Sequence, residues 1–194
     1  MKKITFVLCF LSLWTHYIFA EETTIYETFR NEIEQVFEEI DKNQVPTGLL
    51  EEYGFHLVPL SSYNGVTTES NYVTPMIWEM LYSDLYDSRI NDKCQMQTPE
   101  ETYSQSDGNL CIMYYKYNAF ADDALERGLV TFEDEKIRLV PGKPSPYVEK
   151  ECFAVMPTDG SLPLAFDKSN LFTNTGLDVT KIEYKIGNGD YIVI

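Results

Sequence analysis

From residue 25 to residue 40 apolar side chains recur at helical spacing, with Ile25, Phe29, Ile33, Val36, Phe37 and Ile40 on one face and charged residues between them. Thr24 and Glu27 fit a capping box at the start of this helix, and Pro46 predicts its end near Asn43, because proline disfavours helical geometry in the residue before it. In the connector "NQVPTGLLEEYGFHLVPLSSYNG", Thr47 is expected to cap a short turn through Leu49, Leu50, Glu51 and Glu52, with Gly54 as a left-handed stop. "FHLVPL" then alternates as an extended run that Pro59 keeps out of a central strand, and "YNG" closes it as a turn. A second helix starts at Thr74 and Pro75, with Ile77, Met80, Leu81 and Leu85 as an apolar stripe widened by Trp78, Tyr82 and Tyr86. Thr98, Pro99 and Glu101 repeat the cap-plus-proline signature for a turn or two before Gly108.

From residue 109 the period changes from helical to alternating. "LCIMYYKYNAF" reads as a strand, "DDALERG" as a short helix ended by Gly128, and "LVTF" with "KIRLV" across "EDE" as a hairpin. "YVEKECFAVMP", "LPLAF", "NLFTNTG" and "VTKIEYKI" are further strands, separated by turn clusters at "PGKPSP", "TDGS" and "GNGD". The fold class is therefore α+β: amphipathic helices in the first half and a β-rich second half ending in a partial immunoglobulin-like sandwich. The expected organisation is a signal peptide at 1–20, a mainly helical region at 21–108, a β-rich connecting region at 109–146 and the partial sandwich module at 147–194. Sandwiches bury both inner faces with about seven strands. The last segment supplies fewer, so its carboxyl end is expected to pair with another chain or to be covered by residues beyond it.

The first twenty residues change which chain folds. Lys2 and Lys3 form a charged region, Ile4 to Leu13 an apolar run, and Ala20 a small residue before "EETT", the layout of a secretory signal cleaved after Ala20. The apolar run is short for a bilayer span, and Thr15 and His16 interrupt it, so no transmembrane segment is expected after cleavage. Cys9 lies deep in that run between Leu8 and Phe10, which argues against a lipid-modified cysteine. The expected location is secreted or cell surface. All 31 acidic residues lie beyond Ala20, and removing Lys2 and Lys3 from the 15 bases leaves 13. Such a surface repels phosphate, which excludes nucleic acid as a partner. Three cysteines remain, Cys94, Cys111 and Cys152. The first two flank a polar loop that a disulfide would close with a gain of about 3 kcal/mol, leaving Cys152 reduced on its strand.

The same residue inventory removes several chemistries. A catalytic zinc takes two or three histidines, and beyond Ala20 only His56 is present. The cysteines form no knuckle, and there is no G-x-S-x-G, P-loop or G-x-G-x-x-G element. His56 as base to Cys94, Cys111, Cys152, Ser61 or Ser62 is the remaining nucleophilic option, weighed against a half-buried side chain on a connector, which is the preferred reading and makes His56 dispensable. A carboxylate pair about 5 to 9 Å apart, as glycoside hydrolysis requires, is compatible with so acidic a chain but is not indicated by it. "DGN", "TDGS" and "GNGD" offer oxygens to calcium without a full binding loop, and turn chemistry accounts for them. No catalytic, cofactor-binding or metal residue is assigned, and no cofactor is expected.

In order, "FEEIDKNQVPTGLLEEYGFHLVPLSSYNG", a tryptophan helix, "MYYKYNAFADDALERGLV" and "LFTNTGLDVTKIEYKIGNGDYIVI" resemble the amino-terminal region of large uncharacterised exported proteins of Gram-negative envelopes. The last segment resembles the start of an immunoglobulin-like module of the polycystic-kidney-disease type, with "YKIGNGDY" in place of the D-x-G-D-G element. The resemblance implies secretion and a modular neighbour, and carries no catalytic residue over. The expected function is a noncatalytic cell-surface or secreted module that binds or positions extracellular or envelope macromolecules, protein or glycan, as the amino-terminal part of a larger protein. The alternative is a secreted hydrolase of the Cys/His or carboxylate-pair kind.

Overall fold

The computed structural model describes residues 28–54, 58–60, 62–66, 68–106, 109–157 and 166–193. They form a mixed α+β protein. Its helices are α1 (28–36), α2 (Pro75–Asp87) and α3 (Pro99–Ser106), and its strands are β1 (Cys111–Phe120), β2 (Val130–Glu133), β3 (Lys136–Leu139), β4 (Tyr147–Met156), β5 (Leu171–Thr173), β6 (Glu183–Tyr184) and β7 (Ile192–Val193). Residues 1–20, read as a signal peptide, the cap residues Thr24 and Glu27, and His56 lie outside the described residues. The chain divides into two compact units, one holding the described residues up to Ile40 with Leu125–Lys143, the other Asp41–Ala124 with Pro144 onward.

In the first unit α1 presents the stripe read from its spacing, with Phe37 and Ile40 buried just beyond its last turn. The α-helix ends at residue 36 rather than near Asn43. Ile40 N–H turns back to Phe37 O, and Asp41 then caps a separate 3-10 turn at Lys42–Gln44 by accepting from Asn43 N–H. Strands β2 and β3 form the expected hairpin, turned by Asp134 and Glu135, both at positive φ (52° and 61°). That is the backbone of a two-residue turn matched to strand twist, held here without glycine. Lys136 bonds Glu38 at 2.6 Å and Arg138 pairs with Glu39. The "DDALERG" stretch is a run of turns rather than a helix. Gly128 donates to Leu125 O from a left-handed φ of 63°, because so short a stretch does not recover the cost of helix nucleation.

The second unit is built on β1. Over its whole length β1 pairs antiparallel with β4, from Cys111 opposite Met156 to Phe120 opposite Tyr147, and on its other side parallel with β5, from Ile112–Leu171 to Tyr114–Thr173. The order is β4-β1-β5. One face of this sheet is closed: Met113, Tyr115, Cys152, Ala154 and Phe172 are buried against Trp78, Leu81, Tyr82 and Leu85 of α2. Trp78 stacks on Tyr82 with ring centroids 5.5 Å apart and meets Phe172 edge-on at 5.2 Å. Helix α2 starts as read, with Thr74 Oγ1 accepting from Ile77 N–H and Pro75 in the first turn. Helix α3 carries the full capping box, since Thr98 N–H donates to Glu101 and Glu101 N–H to Thr98 Oγ1. Tyr103 ties the two helices by donating to Glu79 O at 2.9 Å. Strand β4 belongs to the sheet of β1, and β6–β7 form a separate two-stranded hairpin. The described residues of 147–194 show no second sheet packed on the first.

The β5 side of β1 is completed by groups that are not strands. Beyond Thr173, Asn174 uses its side chain as the next rung, accepting from Lys116 N–H at 2.9 Å and donating to Lys116 O at 2.7 Å. Asn118 N–H then donates to Leu49 O, and Phe120 N–H to the Glu52 carboxylate at 2.7 Å. The segment 48–50 that supplies Leu49 is itself paired with 88–90, through Leu50 N–H to Ser88 O and Ile90 N–H to Gly48 O. The short turn forms at Glu51–Tyr53 without a side-chain cap; Thr47 Oγ1 instead accepts from Leu49 N–H and bonds Leu49 O and Asn118 Oδ1. The left-handed glycine is Gly48 (φ 77°), whereas Gly54 has an ordinary extended φ of −78° and is needed because a Cβ there would lie 2.6 Å from Ser88 Oγ.

Cys94 and Cys111 are separate buried thiols, as is Cys152, so the expected disulfide is absent among the described residues. Cys94 bonds toward Asn174, whose partner on β1 is Lys116, while Cys111 lies five residues back along that strand and donates to Ser106 O. The two thiols thus face different partners.

Glu52 gives a pH prediction. Its burial pushes the carboxyl pKa up despite the bond from Phe120, and its second oxygen is buried without a partner among the described residues, as is the hydroxyl of Tyr147. The fold therefore holds the proton to higher pH than the unfolded chain does, and the associated stability is lost as pH rises through the folded value. Glu52→Gln keeps an acceptor for Phe120 N–H and removes the buried charge. It should raise unfolding free energy at pH 7 by about 1 kcal/mol, with the gain vanishing below the ordinary glutamate range; urea melts at pH 4 and 7 measure this.

Candidate binding groove

The second face of the sheet carries the side chains that alternate away from the core: Ile112, Tyr114 and Lys116 on β1, Glu149, Glu151, Phe153 and Val155 on β4, and Leu171 and Thr173 on β5. Tyr63, delivered by the turn after Pro59, lies over this face. Its ring stacks on Phe153 at 4.2 Å and 25°, and Tyr114 meets both rings edge-on at 6.0 and 6.4 Å. The turn itself is the one read from "YNG": Asn64 Oδ1 accepts from Val66 N–H, and Gly65 takes a φ of 87°. The cluster lines a groove of about 780 Å³ together with Tyr72, Leu177, Ile182, Tyr184 and Tyr191. Val73 N–H bonds Val155 O and fixes the Tyr72 wall to the edge of β4.

A polar cleft of about 590 Å³ adjoins the groove and shares Tyr114 and Leu177 with it. Lys116 sits opposite Glu151 in register and reaches diagonally to Glu149, at 2.6 Å from Glu149 and 3.9 Å from Glu151. Tyr114 donates to Glu151 at 2.8 Å. Desolvation, and then that bond, raise the Tyr114 pKa, so its phenol stays protonated as a donor at neutral pH. Glu149 and its hydrogen bond raise the Lys116 pKa, which keeps the ammonium charged. Asn174 and Thr175 form the floor on the β5 side.

Of the cysteines, serines and turn residues singled out for chemistry, none that is described lines the groove or the cleft. His56 and Ser61 lie outside the described residues, and Ser62 is exposed. The cysteines are buried in the core, and desolvation pushes the thiols of Cys94 and Cys111 up to about 11, far from nucleophilic thiolates at neutral pH. "DGN" is only partly described and "TDGS" not at all, while "GNGD" is an exposed turn with Gly187 at a φ of 54°. No cluster of three metal-ligating side chains occurs among the described residues, and none of their helices is long and apolar enough to cross a membrane. Among the described residues carboxylates come together around lysines: Glu149 and Glu151, two apart on one strand, at Lys116, and Glu51 and Asp122 at Lys150. Sequence reading missed the groove because its walls come from four distant segments; the frequency of tyrosine was the one signal available. Compared with family models, with curated proteins and with solved structures, the chain matches none.

Proposed function

We propose that the protein is an exported, noncatalytic module that binds an extracellular or envelope macromolecule through the groove on the outer face of its sheet. The observation that carries the reading is the aromatic cluster of Tyr63, Tyr114 and Phe153, half-buried in an open groove rather than under a second layer. Open aromatic surface edged by tyrosine hydroxyls is what a binding face needs. Export is supported by the layout of residues 1–20, and the immunoglobulin-like character of the last segment by the "YKIGNGDY" turn, which joins β6 and β7 as a hairpin. The likeness to the first part of larger envelope proteins fits the same reading.

The test is retention of extracellular polymer fractions, protein and polysaccharide, on the immobilised chain and on Tyr114→Ala and Leu177→Asp variants. Groove-dependent retention of a fraction is expected, with at least a tenfold loss in either variant. Equal retention by all three proteins overturns the reading. The alternative, a secreted hydrolase, has one observation in its favour: Glu149 and Glu151 stand together beside the groove. Their shared contact with Lys116 gives them a structural role as cross-strand ion pairs, and turnover of the retained polymer would favour the hydrolase instead.

A further inference from the structure

We infer that the groove takes an uncharged oligosaccharide; this rests on the reading of the groove as the binding surface. The argument starts from charge. The chain carries a formal net charge of −16, yet the lining is balanced. In the polar cleft Lys93 and Lys116 stand against Glu149 and Glu151, and along the groove Lys181 and Lys185 stand against Asp178 and Glu183. Most of these charges are engaged locally: Lys116 with Glu149 at 2.6 Å, Lys181 with Glu183 at 2.8 Å, and Asp178 with Lys168 at 2.6 Å. A site for an anionic polymer would show surplus lysine, and a site for a basic peptide surplus carboxylate. Neither surplus exists, although in so acidic a chain the second would arise by default.

A neutral sugar fits what remains. A pyranose ring offers an apolar C–H face and a rim of hydroxyls that both donate and accept. The Tyr63–Phe153 stack and the Tyr114 ring provide aromatic surface for the first. The second meets, within one cleft, carboxylate acceptors, ammonium donors and the Thr175 hydroxyl, and Tyr114, which gives its proton to Glu151, keeps its oxygen as an acceptor. The groove and the cleft share Tyr114, so a short linear chain can lie along both with this residue at its middle.

The experiment is calorimetric titration of the full chain with four neutral hexasaccharides, the β-1,4-glucan, β-1,3-glucan, β-1,4-mannan and β-1,4-N-acetylglucosamine series, and with an anionic hexagalacturonate. At least one neutral hexamer should bind, and its affinity should change less than twofold between 50 and 500 mM salt. Tyr114→Ala and Tyr63→Ala should each weaken it at least tenfold, the second variant guarding against a folding defect in the first, since Tyr63 sits outside the sheet. No binding by any neutral hexamer, tighter binding of hexagalacturonate, or indifference to both substitutions overturns the inference. If polymer retention depends on the groove but is abolished by protease, and the neutral hexamers do not bind, the sugar assignment falls while the groove remains a binding surface.

Discussion

Trp78→Ala is expected to lower the unfolding free energy by about 3–5 kcal/mol, the range for removing a large aromatic side chain from a core that cannot collapse around the gap. Trp78 is fully buried, and the rings it touches, Tyr82 and Phe172, come from α2 and from β5, so its loss opens the contact between the helix and the edge of the sheet. Trp78→Phe should cost much less, about 1–2 kcal/mol, for a specific reason. The indole N–H has no hydrogen-bond partner among the described residues, so phenylalanine gives up area but no bond. Urea melts of the two variants separate the contributions. A Trp78→Phe loss as large as that of Trp78→Ala would mean that the indole nitrogen is satisfied.

Gly48→Ala should cost about 3 kcal/mol. The residue sits at a φ of 77°, where a side chain adds about 1–2 kcal/mol of backbone strain. A Cβ there would also lie 2.6 Å from the backbone Cys94 N and 3.0 Å from Asn91 Oδ1, whose amide is held by bonds to Lys93 N–H and Lys42 O. The comparison is Gly65→Ala, where φ is 87° but nothing lies within 4 Å, and only the strain is expected. Equal losses at the two positions would show that the segment at 48–50 yields to make room.

Which features were legible depended on how far apart their causes lie along the chain. Helices α2 and α3 could be read because cap, proline and stripe are all local, and the β2–β3 hairpin because its turn and both strands fit within ten residues. The stop of α1 and the turns at 122–128 were misjudged because helical propensity does not show where tertiary contacts end a helix. Gly54 reads as the left-handed position because it follows a short turn; that conformation belongs to Gly48, and only the packing of 48–50 against 88–90 decides it. The parallel partner of β1 has no local signal at all, since Ile112 and Leu171 are brought together from 59 positions apart. The groove inherits that opacity. Tyr63, Tyr114, Phe153 and Tyr184 each look like ordinary surface or strand aromatics until register and turn place them around one hollow.

The borrowed rungs along β1 also set an order of events. Leu49 and Glu52 come from well before the strand, β4 and Asn174 from well after it, so the central strand is unsatisfied until synthesis has passed Asn174. Until then the aromatic stripe of α2 has no sheet to lie on and stays open to capture by holding factors. Non-local pairing of this kind also delays folding. Late closure keeps the chain open for longer after synthesis, and a variant that lets the early segments find a false partner would lower the yield of native protein before its equilibrium stability changed.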